Sequence, residues 1–404
     1  MTSTSDEGWR KVPEAELTRR IKLVQASMEK HGVNALIVTA QDNFIYLTGF
    51  DSPTWVNLAR PRYCVVPARG ELILVVPTTN LSAVERMTWV RDIRSWVSPN
   101  PVDDGLSLVA DAVCATTEPE GVVGMEIGPQ SRLGLPATDF MALRERLLPR
   151  RLADADGLLR EVRKVKSPFE VAAIRAAAEA TSRAFAGLAG QSLTDRDECS
   201  IVQDFRALLF AEGVEDAPYL VAESGFGGYP SLQMAPSSRR LSDGTVLSID
   251  AGCRVGGYFC DFNRNFCVGR IPDISRRADD LLWQATQAGI EAARPGSTAA
   301  DVWYAVAQVL DRGLEAIGGR RTRSGRMGHG IGLRLTEPPS VHPEDTTVLV
   351  PGMVITVEPS AEFEIVTPAG TAKRMLIHEE NLVVTYDGPQ LLSMRAPRGL
   401  PAAR

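Results

Sequence analysis

The chain has 404 residues, of which 44% are hydrophobic and 23% are charged, so it contains enough apolar material for two globular domains. A formal net charge of −6 and the lack of a long basic run argue against nucleic acid as a partner. The sequence lacks an apolar run of about 18 residues and a signal-peptide pattern at its start, so we expect a cytoplasmic protein that does not enter membranes.

The first part of the chain alternates between helical and strand patterns. A helical pattern covers Leu17 to Lys30, and it is followed by the short apolar runs NALIVT, YCVVP and LILVVP, which are typical of strands. This alternation predicts an α/β domain over residues 1–160.

The pattern changes near residue 160, where a long Ala-rich helix begins. Ser167 is suited to its N-cap and Pro168 to its first turn. Further helices are predicted near residues 196–212, 275–293 and 299–316, and strands near VLSID, YFCDFNRNF, MVITVEP, KRMLIH and NLVVT. We therefore predict a second domain over residues 161–404, in which helices pack on a mainly antiparallel sheet.

Two aspartates flank a predicted turn in VLSIDAGCRVGGYFCDFNRNF. Asp250 and Asp261 are equally distant from a point between Val255 and Gly256, so a simple hairpin centred there places them directly opposite one another. Opposed side chains have Cβ atoms about 4.5 to 5.5 Å apart, and like charges at that distance are destabilising on a half-buried sheet. The pair therefore predicts a cation between the two strands.

A second pair of carboxylates repeats this arrangement. Glu358 and Glu379 are centred between Pro368 and Ala369 in the turn-like segment TPAG, and they oppose one another if no bulge shifts the register. His329, in RMGHGIGL, is a fifth candidate ligand because its flanking glycines allow a tight backbone turn. Two divalent cations would balance the four carboxylates, and one imidazole among oxygen ligands favours manganese, iron, cobalt or zinc.

The order Asp, Asp, His, Glu, Glu in these motifs resembles the pita-bread family, which includes methionine aminopeptidase, prolidase, aminopeptidase P and creatinase. The segments KVKSPFEVAAIRAA and DNFIYLTGF resemble further parts of its two-domain members, so the resemblance covers residues 17–387. It implies an α/β creatinase-type N-terminal domain, an α+β pita-bread catalytic domain with two divalent metal ions, and usually a homodimer.

The resemblance also implies a role for each motif residue. Asp250 would bind one metal, Asp261 and Glu379 would bridge the two ions, and His329 and Glu358 would complete the other coordination shell. A water activated by the metals would attack the substrate, and Glu358 would carry its proton to the leaving amine. The implied reaction is hydrolysis of a C–N amide bond in an Xaa-Pro-type dipeptide or a small amino-acid derivative.

Several positions depart from the pattern of the proline-specific peptidases. Gln233 and Thr336 stand where those enzymes have histidines, with Glu337 directly after Thr336, and Ile377 stands where an arginine is usual. Two alternatives on the same metals therefore remain open, a lyase similar to dimethylsulfoniopropionate lyase and an enzyme similar to ectoine hydrolase. A third alternative is a catalytically silent metal-binding protein.

Four other residues are candidates for substrate contact. Arg60 and Arg62, in TGFDSPTWVNLARPRY, are suited to a substrate carboxylate, and Trp55 is suited to a cationic group. Tyr229, in the glycine-rich ESGFGGYPSL, is a further candidate. The alternative for the first three is a dimer interface or a solvated loop, and the alternative for Tyr229 is a connecting loop.

Overall fold

The computed structural model describes residues 11–57, 59–231, 234–322 and 324–403. The chain divides into two compact units, residues 1–163 and 164–404, whereas the sequence pattern put the boundary at residue 160. In the described ranges, no helix has both the length and the apolar character that a membrane crossing requires.

The first unit is an α/β domain built on a six-stranded mixed sheet with the order β4-β3-β2-β1-β5-β6. Its strands are Ala35–Val38 (β1), Tyr63–Pro67 (β2), Ile73–Pro77 (β3), Asp92–Trp96 (β4), Val122–Met125 (β5) and Arg151–Asp154 (β6). Its helices are Glu14–Lys30 (α1), Gln41–Thr48 (α2), Leu81–Met87 (α3), Leu106–Thr116 (α4), Ala137–Arg146 (α5) and Asp156–Lys164 (α6), whose last residue crosses the boundary. Strand β2 is antiparallel to both of its neighbours, and the other pairs are parallel.

A buried carboxylate organises the start of helix α2. The side chain of Glu126 accepts hydrogen bonds from the backbone N–H groups of Thr39 and Ala40 at 2.7 and 2.8 Å, and from Asn43 Nδ2 at 2.6 Å. These donors include backbone groups that a helix start leaves without an intrahelical partner. The helix ends at Gly49, whose φ of +72° is accessible to glycine at little cost.

In its described residues, the second unit combines four α-helices with three mainly antiparallel sheets. The helices are Pro168–Ala189 (α7), Glu198–Ala211 (α8), Asp273–Ala292 (α9) and Ala299–Leu314 (α10). The strands are Asp216–Phe226 (β7), Thr245–Val255 (β8), Tyr258–Val268 (β9), Arg320–Arg321 (β10), His329–Gly330 (β11), Glu337–Ser340 (β12), Val354–Val357 (β13), Ser360–Thr367 (β14), Gly370–Ile377 (β15), Glu380–Thr385 (β16), Gly388–Leu391 (β17) and Ala402–Ala403 (β18). The sheets have the orders β18-β9-β8-β7, β10-β14-β15 and β12-β11-β13-β16-β17, which confirms the predicted α+β class.

A hydrophobic core of the second unit lies where helices α9 and α10 meet the strands. Leu282 and Val306 of these helices are fully buried in one hydrophobic cluster with Ile355 of β13 and Leu382 of β16. Strands β13 and β16 therefore have a rigid support on the side that carries these apolar residues.

Helix α7 begins with a reciprocal cap. The Ser167 hydroxyl accepts from the backbone N–H of Glu170 at 3.2 Å, and the Glu170 carboxylate accepts from the backbone N–H of Ser167 at 2.9 Å. Replacing Ser167 by alanine should lower the free energy of unfolding by about 1 kcal/mol, because a helix-end donor loses its partner. Urea denaturation would measure the loss, with the exposed Glu179→Ala in the same helix as a control expected to stay within about 0.5 kcal/mol. Equal losses in both variants would contradict this role of the cap.

Candidate metal centre

The first hairpin of the site joins strands β8 and β9 through a two-residue turn, Gly256 and Gly257. Both glycines have positive φ, +59° and +80°, which such a turn requires. The turn is centred one position later than predicted, so Asp250 pairs with Asn263 and Asp261 pairs with Gly252. The prediction that the aspartates are directly opposed was therefore wrong. Because side chains alternate with a period of two, this offset still leaves both carboxylates on one face.

The second hairpin keeps one antiparallel register along its whole length. Val354 pairs with Val383 at one end, and Thr367 pairs with Gly370 at the turn. Between these paired stretches the backbone N–H of His378 donates to the carbonyl of Pro359 at 3.2 Å. The same register aligns Glu358 with Glu379, without the bulge that would have separated them.

His329 is held in strand β11 beside this hairpin. Its backbone N–H donates to Thr356 Oγ1 at 3.0 Å, and its Nδ1 lies 2.9 Å from the carbonyl oxygen of Gly330. Since a carbonyl oxygen only accepts, Nδ1 carries the proton and Nε2 keeps a free lone pair, as in histidines that bind metals.

The glycines that flank His329 are required by close backbone contacts. A Cβ at Gly328 would lie 2.2 Å from the carbonyl oxygen of Thr356, and a Cβ at Gly330 would lie 2.2 Å from that of Pro338. The neighbouring strands therefore approach on both sides of the histidine, and a side chain at either glycine would displace it.

The candidate ligands converge in a buried cluster. Ligand atoms of Asp261, His329 and Glu379 all lie within 4.8 Å of one another. Nε2 of His329 is 3.5 Å from Asp261 Oδ2 and 3.5 Å from Glu358 Oε1. Asp250 Oδ1, Asp261 Oδ1 and Glu379 Oε1 are buried and have no hydrogen-bond partner among the described residues. Such acceptors are costly unless a cation or a donor occupies the space between them.

The electrostatics of the cluster also favour bound cations. Burial raises the pKa of Asp250 and of Glu379 well above the usual range, and the charge of Asp261 raises both further. Burial lowers the pKa of His329, which favours the neutral imidazole that a metal needs. Four carboxylates and one neutral imidazole fit divalent cations that accept oxygen and nitrogen ligands.

Contacts from neighbouring residues fix the orientation of these ligands. The Tyr219 hydroxyl donates to Asp250 Oδ2 at 3.1 Å, and Asn381 Oδ1 accepts from the backbone N–H of Asp261 at 2.9 Å. Arg264 Nη1 donates to the carbonyl of Glu379 at 3.1 Å. None of these three supports was predicted from the sequence, because the register of β7, β8 and β9 and the neighbouring β16 bring them to the cluster.

The substrate residues predicted in the second unit differ in their exposure to solvent. Tyr229 is fully buried, and its hydroxyl accepts from the backbone N–H of Ile377 at 2.8 Å, so its contacts are those of a core residue and not of a pocket wall. Glu337 is also buried, and its carboxylate pairs with Lys166 Nζ at 3.1 Å. Thr336 is exposed and accepts from Arg326 at 3.4 Å. Gln233 lies outside the described residues.

The candidates in the first unit largely contact one another. Arg62 is 1% exposed, and its Nε donates to Asn80 Oδ1 at 2.9 Å. The Arg62 guanidinium also lies 4.5 Å from the centre of the Trp55 ring. The ring of Trp55 therefore faces Arg62 of the same segment, whereas the sequence predicted that it would face a cationic group of the substrate. Arg60 is partly exposed.

The chain matches known families over both units. Residues 172–386 match the model of metallopeptidase family M24, and residues 20–165 match the model of the creatinase/prolidase N-terminal domain.

Individual proteins match along nearly the whole chain. The probable dipeptidase PepE of Mycobacterium tuberculosis is 30% identical over 383 residues, which cover 92% of each sequence. Ectoine hydrolase of Halomonas elongata is 25% identical over 376 residues, which cover 86% of this chain and 90% of that sequence. The crystal structure of dipeptidase PepE from Mycobacterium ulcerans has a TM-score of 0.79 at 27% identity and covers 97% of this chain and 99% of its own.

Proposed function

Because this chain belongs to metallopeptidase family M24, with a creatinase/prolidase N-terminal domain before the catalytic one, we propose that it hydrolyses the amide bond of a dipeptide, including Xaa-Pro dipeptides, at the carboxylate cluster of the second unit. Membership of this family makes the protein a metal-dependent hydrolase. The observation that carries the proposal is a set of three buried carboxylate oxygens, one each from Asp250, Asp261 and Glu379, that have no hydrogen-bond partner in the described part of the chain.

We assign the metal ligands to five side chains, Asp250, Asp261, His329, Glu358 and Glu379. When bound, two ions of manganese, iron, cobalt or zinc would neutralise the carboxylates, polarise the substrate carbonyl and activate a water molecule. Tyr219 orients Asp250, and the Gly330 carbonyl holds His329 in the tautomer with a free Nε2. The homodimer stays a prediction from the family resemblance.

Glu358 is suited to proton transfer by its exposure. Its side chain is 21% exposed, compared with 7% for Asp261 and 4% for His329. It is therefore the member of this group that best reaches the substrate side, where its carboxylate would hold a proton and deliver it to the leaving amine. Thr356 Oγ1 donates to Glu358 Oε1 at 3.4 Å and helps to orient it.

The similarity to ectoine hydrolase supports a second candidate, hydrolysis of a C–N bond in a small cyclic substrate. The lyase and the silent metal-binding protein are not favoured, because the probable dipeptidase and the ectoine hydrolase are both named for hydrolytic reactions.

We expect the metal-loaded protein to cleave dipeptides and to lose this activity after chelation. Protein purified without chelator should contain about two transition-metal ions per chain by mass spectrometry. It should then be assayed on Xaa-Pro dipeptides, other dipeptides, ectoine and dimethylsulfoniopropionate in oxygen-labelled water. Incorporation of one labelled oxygen into the product acid is expected. An unsaturated product without label would support the lyase, and metal binding without turnover on the whole panel would contradict an enzymatic role.

A further inference from the structure

A cavity of about 180 Å³ lies in the second unit beside helix α7 and strand β9. Phe185 of α7 and Phe266 of β9 form part of its wall. Ala186 and Ala189 also line the cavity and are exposed, so it opens to solvent near the C-terminal end of α7. Since a cavity of about 150 Å³ can hold benzene, this one has room for a molecule of about six to nine non-hydrogen atoms.

The cavity follows the backbone edge of β9. Four consecutive residues of this strand, 263–266, line it. Because successive side chains of a strand point to opposite faces, a cavity that contacts four residues in a row lies along the edge of the strand and not on one of its faces. The other edge of β9 is paired with β8 from Tyr258 to Cys267. The cavity therefore borders the edge that β8 leaves free.

The odd-numbered residues of β9 present their backbone groups at this free edge. The N–H of Phe259 donates to the carbonyl of Gly332 at 2.8 Å, and the N–H of Cys267 donates to the carbonyl of Pro401 at 2.9 Å, so both bonds point away from β8. Backbone groups alternate between the two edges of a strand, so the N–H and the C=O of Asn265 point to the same edge as these two residues.

The backbone N–H and C=O of Asn265 have no protein partner in the described part of the chain. Strand β18 pairs with β9 only from Cys267 onward, and Pro401, directly before β18, has no N–H with which to continue the pairing. The Asn265 side chain is held elsewhere, since its Nδ2 donates to the carbonyl of Ile377 at 2.8 Å. Buried backbone groups of this kind favour a ligand that supplies their hydrogen bonds.

An amide group complements the backbone of Asn265. Its carbonyl oxygen can accept from the N–H of this residue, while its own N–H donates to the neighbouring C=O. These are the two bonds that one residue of an added strand would make. An ester or a ketone could form only the first of them, because it has no N–H.

The charged residues that line the cavity favour a neutral ligand. Arg264 and Arg395 both pair with the buried Glu380, at 3.0 and 3.2 Å. Asp279 Oδ1 lies 2.6 Å from His378 Nε2, and Asp279 Oδ2 has no hydrogen-bond partner among the described residues. The two cations thus have their anion within the protein, and the Asp279 carboxylate disfavours a negatively charged ligand.

We infer that this cavity is a second binding site, for a small neutral amide with an apolar body, which joins the free edge of β9 through the backbone of Asn265. The described residues that line it include none of the five candidate metal ligands, so the site is distinct from the candidate metal centre. Arg264 lines the cavity and also donates to the carbonyl of Glu379 at 3.1 Å, so variants that test the site should leave this arginine in place.

NMR titration of the metal-loaded protein with benzamide and with acetophenone would test the inference, because the two molecules are similar in size and only the amide has an N–H. Benzamide should bind with a Kd below about 1 mM and shift the backbone amide resonance of Asn265, and acetophenone should bind about 10-fold more weakly. Equal Kd values for the two molecules, or no binding of either, would overturn the inference.

A variant at the mouth of the cavity would locate the binding. Ala186→Leu places a larger side chain there, on an exposed position of α7, and should weaken benzamide binding by about 10-fold or more. The control is Ala172→Leu, an exposed position of the same helix that does not line the cavity, which should leave the Kd unchanged. An unchanged Kd in Ala186→Leu would contradict the proposed position of the ligand.

A titration in the presence of chelator separates this site from the metal centre. Benzamide should bind the metal-free protein with the same Kd within about twofold, since no candidate metal ligand lines the cavity. Loss of benzamide binding on chelation would place the molecule at the metal centre and overturn the inference.

Discussion

Replacing Asp261 by asparagine is expected to lower kcat/KM by about 10³-fold and, in metal-free protein, to raise the free energy of unfolding by about 1 to 2 kcal/mol. The two effects have opposite signs because the Asp261 carboxylate is needed when metal is bound and is destabilising when metal is absent. With metal, Asp261 would be one of the ligands that hold the ions. Without metal, its negative charge raises the pKa of Asp250, Glu379 and Glu358, beyond the larger effect of their burial, so it repels the other three carboxylates.

Three measurements would test this prediction. Mass spectrometry would report metal content, steady-state kinetics would report kcat/KM, and urea denaturation would report stability with chelator and with added metal. A matched control is Glu198→Gln, which alters a buried acid that accepts from Ser224 Oγ at 2.6 Å outside the cluster. The control should lose stability and keep its metal. Full activity with bound metal in Asp261→Asn, or a less stable metal-free protein, would contradict the assignment.

Replacing Glu380 by alanine is expected to cost about 3 to 5 kcal/mol of folding free energy. Glu380 is fully buried, and its carboxylate accepts from Arg264 Nη2 at 3.0 Å, from Arg395 Nη1 at 3.2 Å and from the backbone N–H of Ala396 at 2.8 Å. Its removal would leave two partly buried guanidinium groups without their shared anion. The loss is large because the desolvation of these charges is not recovered elsewhere.

Urea denaturation in the presence of chelator would measure this cost without a contribution from metal binding. The control is Glu364→Ala, on the exposed face of β14, which should change stability by about 0.5 kcal/mol or less. Comparable losses in the two variants would show that the buried network contributes little. Arg264 also donates to the carbonyl of Glu379, so metal content should be measured in both variants.

Most helices and both domain classes were predictable because their signals are local. The cap at Ser167, the Pro168 that follows it and the apolar period of α9 and α10 are contained in short stretches of sequence. Helix α2 had no comparable signal, since its start depends on Glu126, far away in the chain.

The pairing register of the two hairpins was predictable only where the turn was identified correctly. The turn at Pro368 and Ala369 aligned Glu358 with Glu379, as the sequence pattern indicated. At the other hairpin, the two-residue turn requires positive φ at both of its residues, and Gly256 and Gly257 meet this requirement. The centre of the turn therefore lies one position later than predicted. The symmetric spacing of the aspartates had instead predicted a centre between Val255 and Gly256, but a β-branched residue such as Val255 rarely adopts positive φ.

Side-chain contacts between distant segments were the least predictable part. Tyr229 lies among glycines, which suggested a pocket, but its hydroxyl belongs to the core through Ile377. The polarity of a residue and its neighbours in the sequence do not show which buried donors and acceptors form hydrogen bonds with one another.

The uninterrupted register of the second hairpin constrains how evolution can change its length. Strands β14 and β15 extend beyond the candidate ligands to the turn at Pro368 and Ala369. A matched gain or loss of one residue in each arm beyond Glu358 and Glu379 would alter only the tip. An unmatched change in one arm would slide one glutamate past the other and turn its side chain to the opposite face. Natural variation in this segment should therefore occur in symmetric pairs or within the turn itself.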